Sequence, residues 1–372
     1  MSAVSIGARL ASADNRPSGF DYLRLSLSTA VIAFHTIMIC YGRSTETPWW
    51  TGIWRPLPFF ILPSFFALSG FLVAGSLNRN DLPSFLTLRG LRIFPALGVE
   101  VLISALIIGP LLTTVSLHEY FFDVEFRKYF LNILGDIHYH LPGVYADNPG
   151  GSAVNLQLWT VPMELQCYIF ISLIALVGLH RRPKFMMAGL IVAAIGIQLV
   201  RDSFEGVDQI DLHPNGLLLV MSFLFGVALF ELKERIPHNR WLFAIACLAM
   251  IALNYSIKTM YLTPLPIAYM TMFMGLLNPR RNFVIRGADY SYGMYLYGYP
   301  VQQAVAYTLP GLRIWYVLLP ISLAATAAFA ATSWHLIESN VLKHRKRALR
   351  AAHQMTVRIP VARRLITEWA PV

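Results

Sequence analysis

Four groups of residues in this chain have types and spacings suited to chemistry. Arg24 and His35 are 11 residues apart, close to three helical turns. On one helix they share a face, about 16 Å apart along the axis. A neutral imidazole can take a proton from a hydroxyl, which makes His35 a candidate general base. It can equally well do no more than hydrogen-bond a neighbouring helix. Arg89 and Arg92, in Leu88-Arg89-Gly90-Leu91-Arg92-Ile93-Phe94-Pro95, project from one helix face at i and i+3. Paired guanidinium forks suit the phosphate oxygens of a cytosolic ligand, and they suit topology signalling and lipid headgroups as well. Glu164 lies in an apolar segment with Tyr168 one turn further along the same face. Its carboxylate can orient a histidine, act as a base, or pair structurally with an arginine. Finally, Ser69-Gly70-Phe71-Leu72 carries a small Ser-Gly pair of the kind that lets helices approach closely, with Ser69 also able to bond a ligand.

The elements that must position these groups follow from composition. The chain has 372 residues, of which 56% are apolar and 13% charged. A soluble domain carries about 25% charged residues. The mean hydropathy is +0.53. That much apolar sequence exceeds what one soluble core can hide, which excludes an ordinary cytoplasmic enzyme, a disordered chain and a coiled coil. The reading is an all-α, polytopic membrane helix bundle. Ten segments read as spans: 20–41, 57–77, 92–115, 156–179, 185–201, 214–231, 241–257, 260–278, 288–308 and 314–337. No cleavable leader is evident in the first 20 residues, so the first span is expected to stay. Trp49, Trp50 and Trp54 suit an interfacial belt.

Charge sets the expected orientation. The tails and even-numbered connections hold 22 of the 30 Lys and Arg residues, and the opposite side seven: Arg43, Arg55, Arg127, Lys128, Arg201, Lys258 and Arg313. This split predicts ten spans with both termini cytoplasmic. The opposite connections also carry Asp202, Glu205, Asp208 and Asp211. Orientation and anionic lipid then account for the net charge of +10, and nucleic acid is not needed as a partner. The expected organisation is an N-tail (1–19), a membrane domain (20–340) with an outward loop (116–155), and a basic C-tail (341–372). The outward loop contains His118, His138 and His140. With no third ligand in view it reads as an ordered mouth segment, and no metal is expected. Cys40, Cys167 and Cys247 read as small hydrophobes. Asp21 is placed to pair with Arg24, and Glu100 lies in a span without an assigned role.

Taken together, these residues resemble acyltransferase family 3, integral membrane proteins that acylate carbohydrates. Phe20-Asp21-Tyr22-Leu23-Arg24 followed by Phe34-His35 resembles the family's first-helix signature, and Ser69-Gly70-Phe71-Leu72 its second-helix motif. Arg89 and Arg92 match its paired arginines. Trp159 to Tyr168 resembles its Trp-Ser-x-x-x-Glu-x-x-x-Tyr segment, with Thr160 in place of the usual Ser. Ser291-Tyr292-Gly293-Met294-Tyr295-Leu296 resembles a late Ser-Tyr-Ser-Leu-Tyr-Leu motif, and Ile337-Glu338 the closing Glu. The late motif often continues to His-x-Pro; here Gly298-Tyr299-Pro300 follows, so any role of that histidine is absent or moved. Many relatives carry an extracytoplasmic hydrolase-like domain, and this chain looks like the stand-alone form.

The resemblance implies transfer of an acyl group, most often acetyl, from cytosolic acyl-CoA to a sugar hydroxyl of a cell-surface or exported glycan. It implies His35 and Glu164 as catalytic residues, and Arg24, Arg89, Arg92, Ser69 and Tyr168 as binding residues. Acyl-CoA, as acetyl-CoA, is expected as a co-substrate, with no permanently bound cofactor. The expected partners are the glycan acceptor, membrane lipids and glycan-assembly proteins, and the expected location is a bacterial cytoplasmic (inner) membrane. Direct transfer and an acyl-histidine intermediate both fit. Exopolysaccharide, lipopolysaccharide side chain, peptidoglycan and a secreted lipo-oligosaccharide all fit as acceptors. The rival reading is a transporter or flippase of lipid-linked sugars, for which buried His, Arg and Glu groups are equally suited; the sequence shows no inverted repeat.

Overall fold

The computed structural model describes residues 4–204, 214–255 and 257–350. Glu205, Asp208, Asp211 and the C-tail beyond residue 350 lie outside the described residues, as does the side chain of Asp202. The described chain is helical, with no strand. Every segment expected to span coincides with a helix: α1 (Ser18–Tyr41), α2 (Pro56–Leu77), α3 (Leu82–Ile103), α4 (Thr160–Leu176), α5 (Pro183–Phe204), α6 (Gly216–Glu231), α7 (Arg240–Tyr255), α8 (Pro264–Gly275), α9 (Ser291–Thr308) and α10 (Trp315–Ser333).

Among the described residues, six stretches are long and apolar enough to cross a membrane: Ser18–Tyr41, Pro56–Leu77, Leu82–Leu112, Leu156–Leu176, Pro183–Arg201 and Trp315–Lys343. The other four helices fall short of that standard for physical reasons. At 1.5 Å per residue, α6 and α7 with 16 residues each and α8 with 12 are shorter than a hydrocarbon core about 30 Å thick. Helix α9 has 18 residues but carries the polar side chains of Ser291, Gln302 and Gln303, all buried against protein. Helix α3 starts ten residues before the expected span, where Asp81 accepts a hydrogen bond from the Ser84 amide at 2.8 Å. Arg89 and Arg92 therefore sit within an established helix. Both α3 and α10 continue through a wide π turn, at Ser104–Ile108 and Trp334–Glu338.

The chain forms two compact units. The first comprises residues 1–27, 47–79 and 163–286, and the second residues 28–46, 80–162 and 287–372. In the first, α2 and α6 meet backbone to backbone: a Cβ at Gly70 would collide with the Phe223 carbonyl oxygen, and one at Gly226 with the Ala67 carbonyl oxygen. The Ser-Gly pair thus performs the close helix packing expected of it. Phe71 lies between Phe20 and Phe230, with ring centroids 5.7 and 5.1 Å away. In the second unit, Gly298 lets α9 lie against Ile32 of α1, and Gln302 donates to the Ile32 carbonyl at 3.0 Å and the Thr36 hydroxyl at 2.7 Å. The segment 116–155 is ordered on α9: Tyr145 donates to the Pro300 carbonyl (3.2 Å), and Gln303 to the Gly151 and Ala153 carbonyls (both 2.9 Å).

Candidate functional site

His35 projects from the second half of α1. Its ring hydrogen-bonds the Val31 carbonyl one turn back. The nitrogen facing that carbonyl carries the hydrogen, which leaves the lone pair on the other nitrogen. The ring also stands edge-on to Tyr299 of α9, with centroids 5.1 Å apart and planes at 89°. Gln302, one turn past Tyr299 on the same helix face, pins α9 to α1 through Ile32 and Thr36. The departure from the His-x-Pro pattern is thereby explained in part: position 298 is filled by Ile32 of α1, and Tyr299 is the residue that meets His35. Sequence reasoning did not single out Tyr299 or Gln302; two glutamines one turn past a tyrosine, inside an otherwise apolar helix, were the available signal.

The two arginines of α3 differ in their surroundings. Arg92 is held by Asp289 at 2.7 Å and Glu338 at 3.3 Å, and its guanidinium lies 5.3 Å from the Tyr292 ring centroid. Ser291 and Ser333 hydroxyls donate to the same two carboxylates. The closing Glu of the sequence pattern is therefore a partner of Arg92, the second of the paired arginines, and is presented on the π turn of α10. Arg89 forms no ion pair among the described residues. It lies over the Phe85 ring with its buried Nε lacking a hydrogen-bond partner. Such a guanidinium can still donate to phosphate oxygens.

The segment entering α4 docks on α9. Gln157 donates to the carbonyls of Tyr295 and Leu296 at 3.0 and 2.8 Å, and the hydroxyls of Thr160 and Tyr295 lie 2.6 Å apart. Thr160 thus keeps the hydroxyl that the usual Ser would supply, and adds a methyl group.

The first unit holds the remaining expected residues. Tyr168 donates to Glu164 at 2.5 Å within α4, as their spacing implies. Arg24 pairs with Asp21 at 2.7 Å, and Arg281 approaches the same carboxylate at 3.8 Å. Ser69 is half-buried beside the Gly70 contact. In the second unit, Glu100 is fully buried and accepts from the Ser104 hydroxyl at 2.7 Å, where the π turn begins. His138 faces Asp136 at 3.4 Å and His140 faces the Ser152 hydroxyl at 3.2 Å, so the two imidazoles have separate partners. Among the described residues no group of three metal-ligating side chains converges.

Comparison with known proteins identifies the family. The acyltransferase family 3 model, described as an acyltransferase domain, matches residues 18–337. An O-acetyl transferase of Shigella phage Sf6 is 28% identical over 291 residues, covering 75% of this chain and 83% of that one. Nodulation protein 10 of Rhizobium leguminosarum bv. viciae is 27% identical over 352 residues, covering 88% and 94%. No solved structure matches. With the paired arginines and the first-helix histidine carried on apolar helices within the matched span, the chain belongs to acyltransferase family 3 and is a membrane acyltransferase.

Proposed function

We propose that this acyltransferase moves an acetyl group from cytosolic acetyl-CoA to a hydroxyl of a cell-surface or exported glycan. The acceptor oxygen attacks the thioester carbonyl carbon, and the ester C–O bond forms as the C–S bond breaks. The hydroxyl proton passes to His35 and then to the departing CoA thiolate, so the imidazole ends as it began. The observation that carries this reading is the setting of His35: hydrogen-bonded to Val31, edge-on to Tyr299, with one ring nitrogen left to accept a proton. Arg89, which has no carboxylate partner among the described residues, is suited to the phosphates of CoA. Glu164, bonded by Tyr168, is assigned to the acceptor sugar. The name of the phage relative supports acetyl as the transferred group.

Mass spectrometry of the host glycan, with and without the chain and with His35→Gln, tests the proposal. The expected result is an ester mass gain that requires the wild-type chain. Glycan that is moved across the membrane with unchanged mass would overturn it in favour of a carrier.

A further inference from the structure

Arg55 immediately precedes α2 and is only 2% exposed. Its Nη1 donates to the Trp50 carbonyl at 2.9 Å. Its Nε and Nη2 are buried without a hydrogen-bond partner, and Arg55 forms no ion pair among the described residues. Those two nitrogens form the edge of the guanidinium that makes parallel hydrogen bonds to two oxygens of one anion. The Phe59 ring packs under the group, its centroid 4.3 Å from the guanidinium carbon, and Trp50 packs edge-on against Phe59.

A neighbouring charge is of the same sign. Arg201, at the end of α5, acts on Arg55 electrostatically, and its guanidinium lies 5.6 Å from the Tyr261 ring centroid. Tyr261 is itself fixed, its amide donating to Gln198 at 3.1 Å and its hydroxyl accepting from Asn215 at 2.6 Å. All of these residues belong to the first unit. Burial, and then the Arg201 charge, lower the Arg55 pKa to about 10. The group therefore remains cationic at neutral pH. An unpaired buried charge is among the most costly features a fold can contain, and a charged fork left open beside a second cation has the chemistry of an anion site.

We propose that Arg55, reinforced by Arg201, forms an oxyanion site that takes a phosphate group, from a lipid headgroup or from a soluble phosphate compound. Phosphate is favoured over carboxylate because one phosphate offers two oxygens to the Arg55 fork and a further oxygen, with further negative charge, to Arg201. The neighbouring Ile53 and Trp54 are exposed at 68% and 54%. Tryptophans of this kind sit at the depth of lipid phosphates. The site is separate from Arg89 and does not depend on the acyl-transfer reading.

The test uses the full chain in nanodiscs of zwitterionic lipid, followed by thermal unfolding. One arm titrates inorganic phosphate against chloride at constant ionic strength. The other replaces part of the lipid with phosphatidylglycerol. Wild type should be stabilised saturably in at least one arm, and the responding arm names the source. Arg55→Gln should need roughly 10- to 150-fold more phosphate, or lose the lipid shift, as expected for one lost charge-assisted contact. Arg55→Lys should recover part of the response, since it restores the charge and not the fork. Arg89→Ala should keep the full response. The proposal is overturned if wild type shows no saturable shift in either arm, a result that needs no variant to fold. It is also overturned if Arg55→Gln responds like wild type, or if the response disappears in Arg89→Ala instead.

Discussion

The imidazole of His35 stands perpendicular to the ring of Tyr299, 5.1 Å between centroids, and this contact joins α1 to the polar face of α9. Edge-to-face pairs of this kind contribute about 0.5–1.5 kcal/mol beyond burial. Tyr299→Leu should therefore lower acetylation roughly 2- to 13-fold through kcat, with KM for acetyl-CoA unchanged. Tyr299→Phe, which keeps the ring, should stay near wild type. His35→Gln should lose about 10²- to 10⁴-fold in rate while remaining inserted and able to bind donor. Initial-rate measurements on purified protein separate these outcomes. A Leu variant with wild-type kcat would remove Tyr299 from the positioning of His35.

Arg89 and Arg92 should separate when each is changed to Ala. Arg89→Ala should weaken acyl-CoA binding roughly 10- to 150-fold, the value of one charge-assisted contact, with thermal stability nearly unchanged. Arg92→Ala removes one cation from both the half-buried Asp289 and the buried Glu338. Breaking such a pair costs up to about 3–5 kcal/mol when the survivors stay buried. Arg92→Ala should therefore lower Tm clearly, whatever its effect on donor affinity. Donor titration and thermal unfolding of both variants supply the two readouts.

Thr160 provides a test of the hydroxyl at that position. Thr160→Ser keeps the bond to the Tyr295 hydroxyl and should be close to neutral. Thr160→Val keeps the shape and removes the bonds of the Thr160 hydroxyl to the Gln157 carbonyl and the Tyr295 hydroxyl, at a cost of about 0.5–1.5 kcal/mol for each. Unfolding midpoints of the two variants should differ in that direction.

Gly70→Ala places a methyl group against the Phe223 backbone carbonyl, which cannot rotate away as a side chain can. Overpacking of this kind costs about 1–3 kcal/mol. The measurable result is a reduced yield of folded protein in detergent, read by size-exclusion chromatography. Ser69→Ala, next to it and with no side-chain hydrogen bond to lose among the described residues, should leave that yield unchanged and act only on turnover.

Reporter fusions should place the C-tail in the cytoplasm and residue 145 outside it, as the charge split of 22 to seven predicts. An outward C-tail would mean an odd number of spans and would remove Arg89 and Arg92 from the donor side.

The sequence alone determined the class of this protein and the place of nearly every helix. Hydropathy and helical spacing are local properties, so a run of apolar residues marks its helix whatever it packs against. The i, i+4 bond from Tyr168 to Glu164 and the i, i+3 pair of Arg24 with Asp21 were legible for the same reason. Partner choice between distant elements was not. Arg92 finds Asp289 and Glu338 from 197 and 246 residues away. Tyr299 reaches His35 because Gly298 lets two helices lie close together. Counted in the sequence, Arg55 was one of seven basic residues on the opposite side; only the fold buries it against Phe59 and the Trp50 carbonyl. Likewise, α8 read as a longer span because apolar residues, Met260 to Leu262 and Leu276-Leu277, continue past both its ends. Close packing and the pairing of buried charge depend on which faces meet, and that is settled only once the helices are assembled.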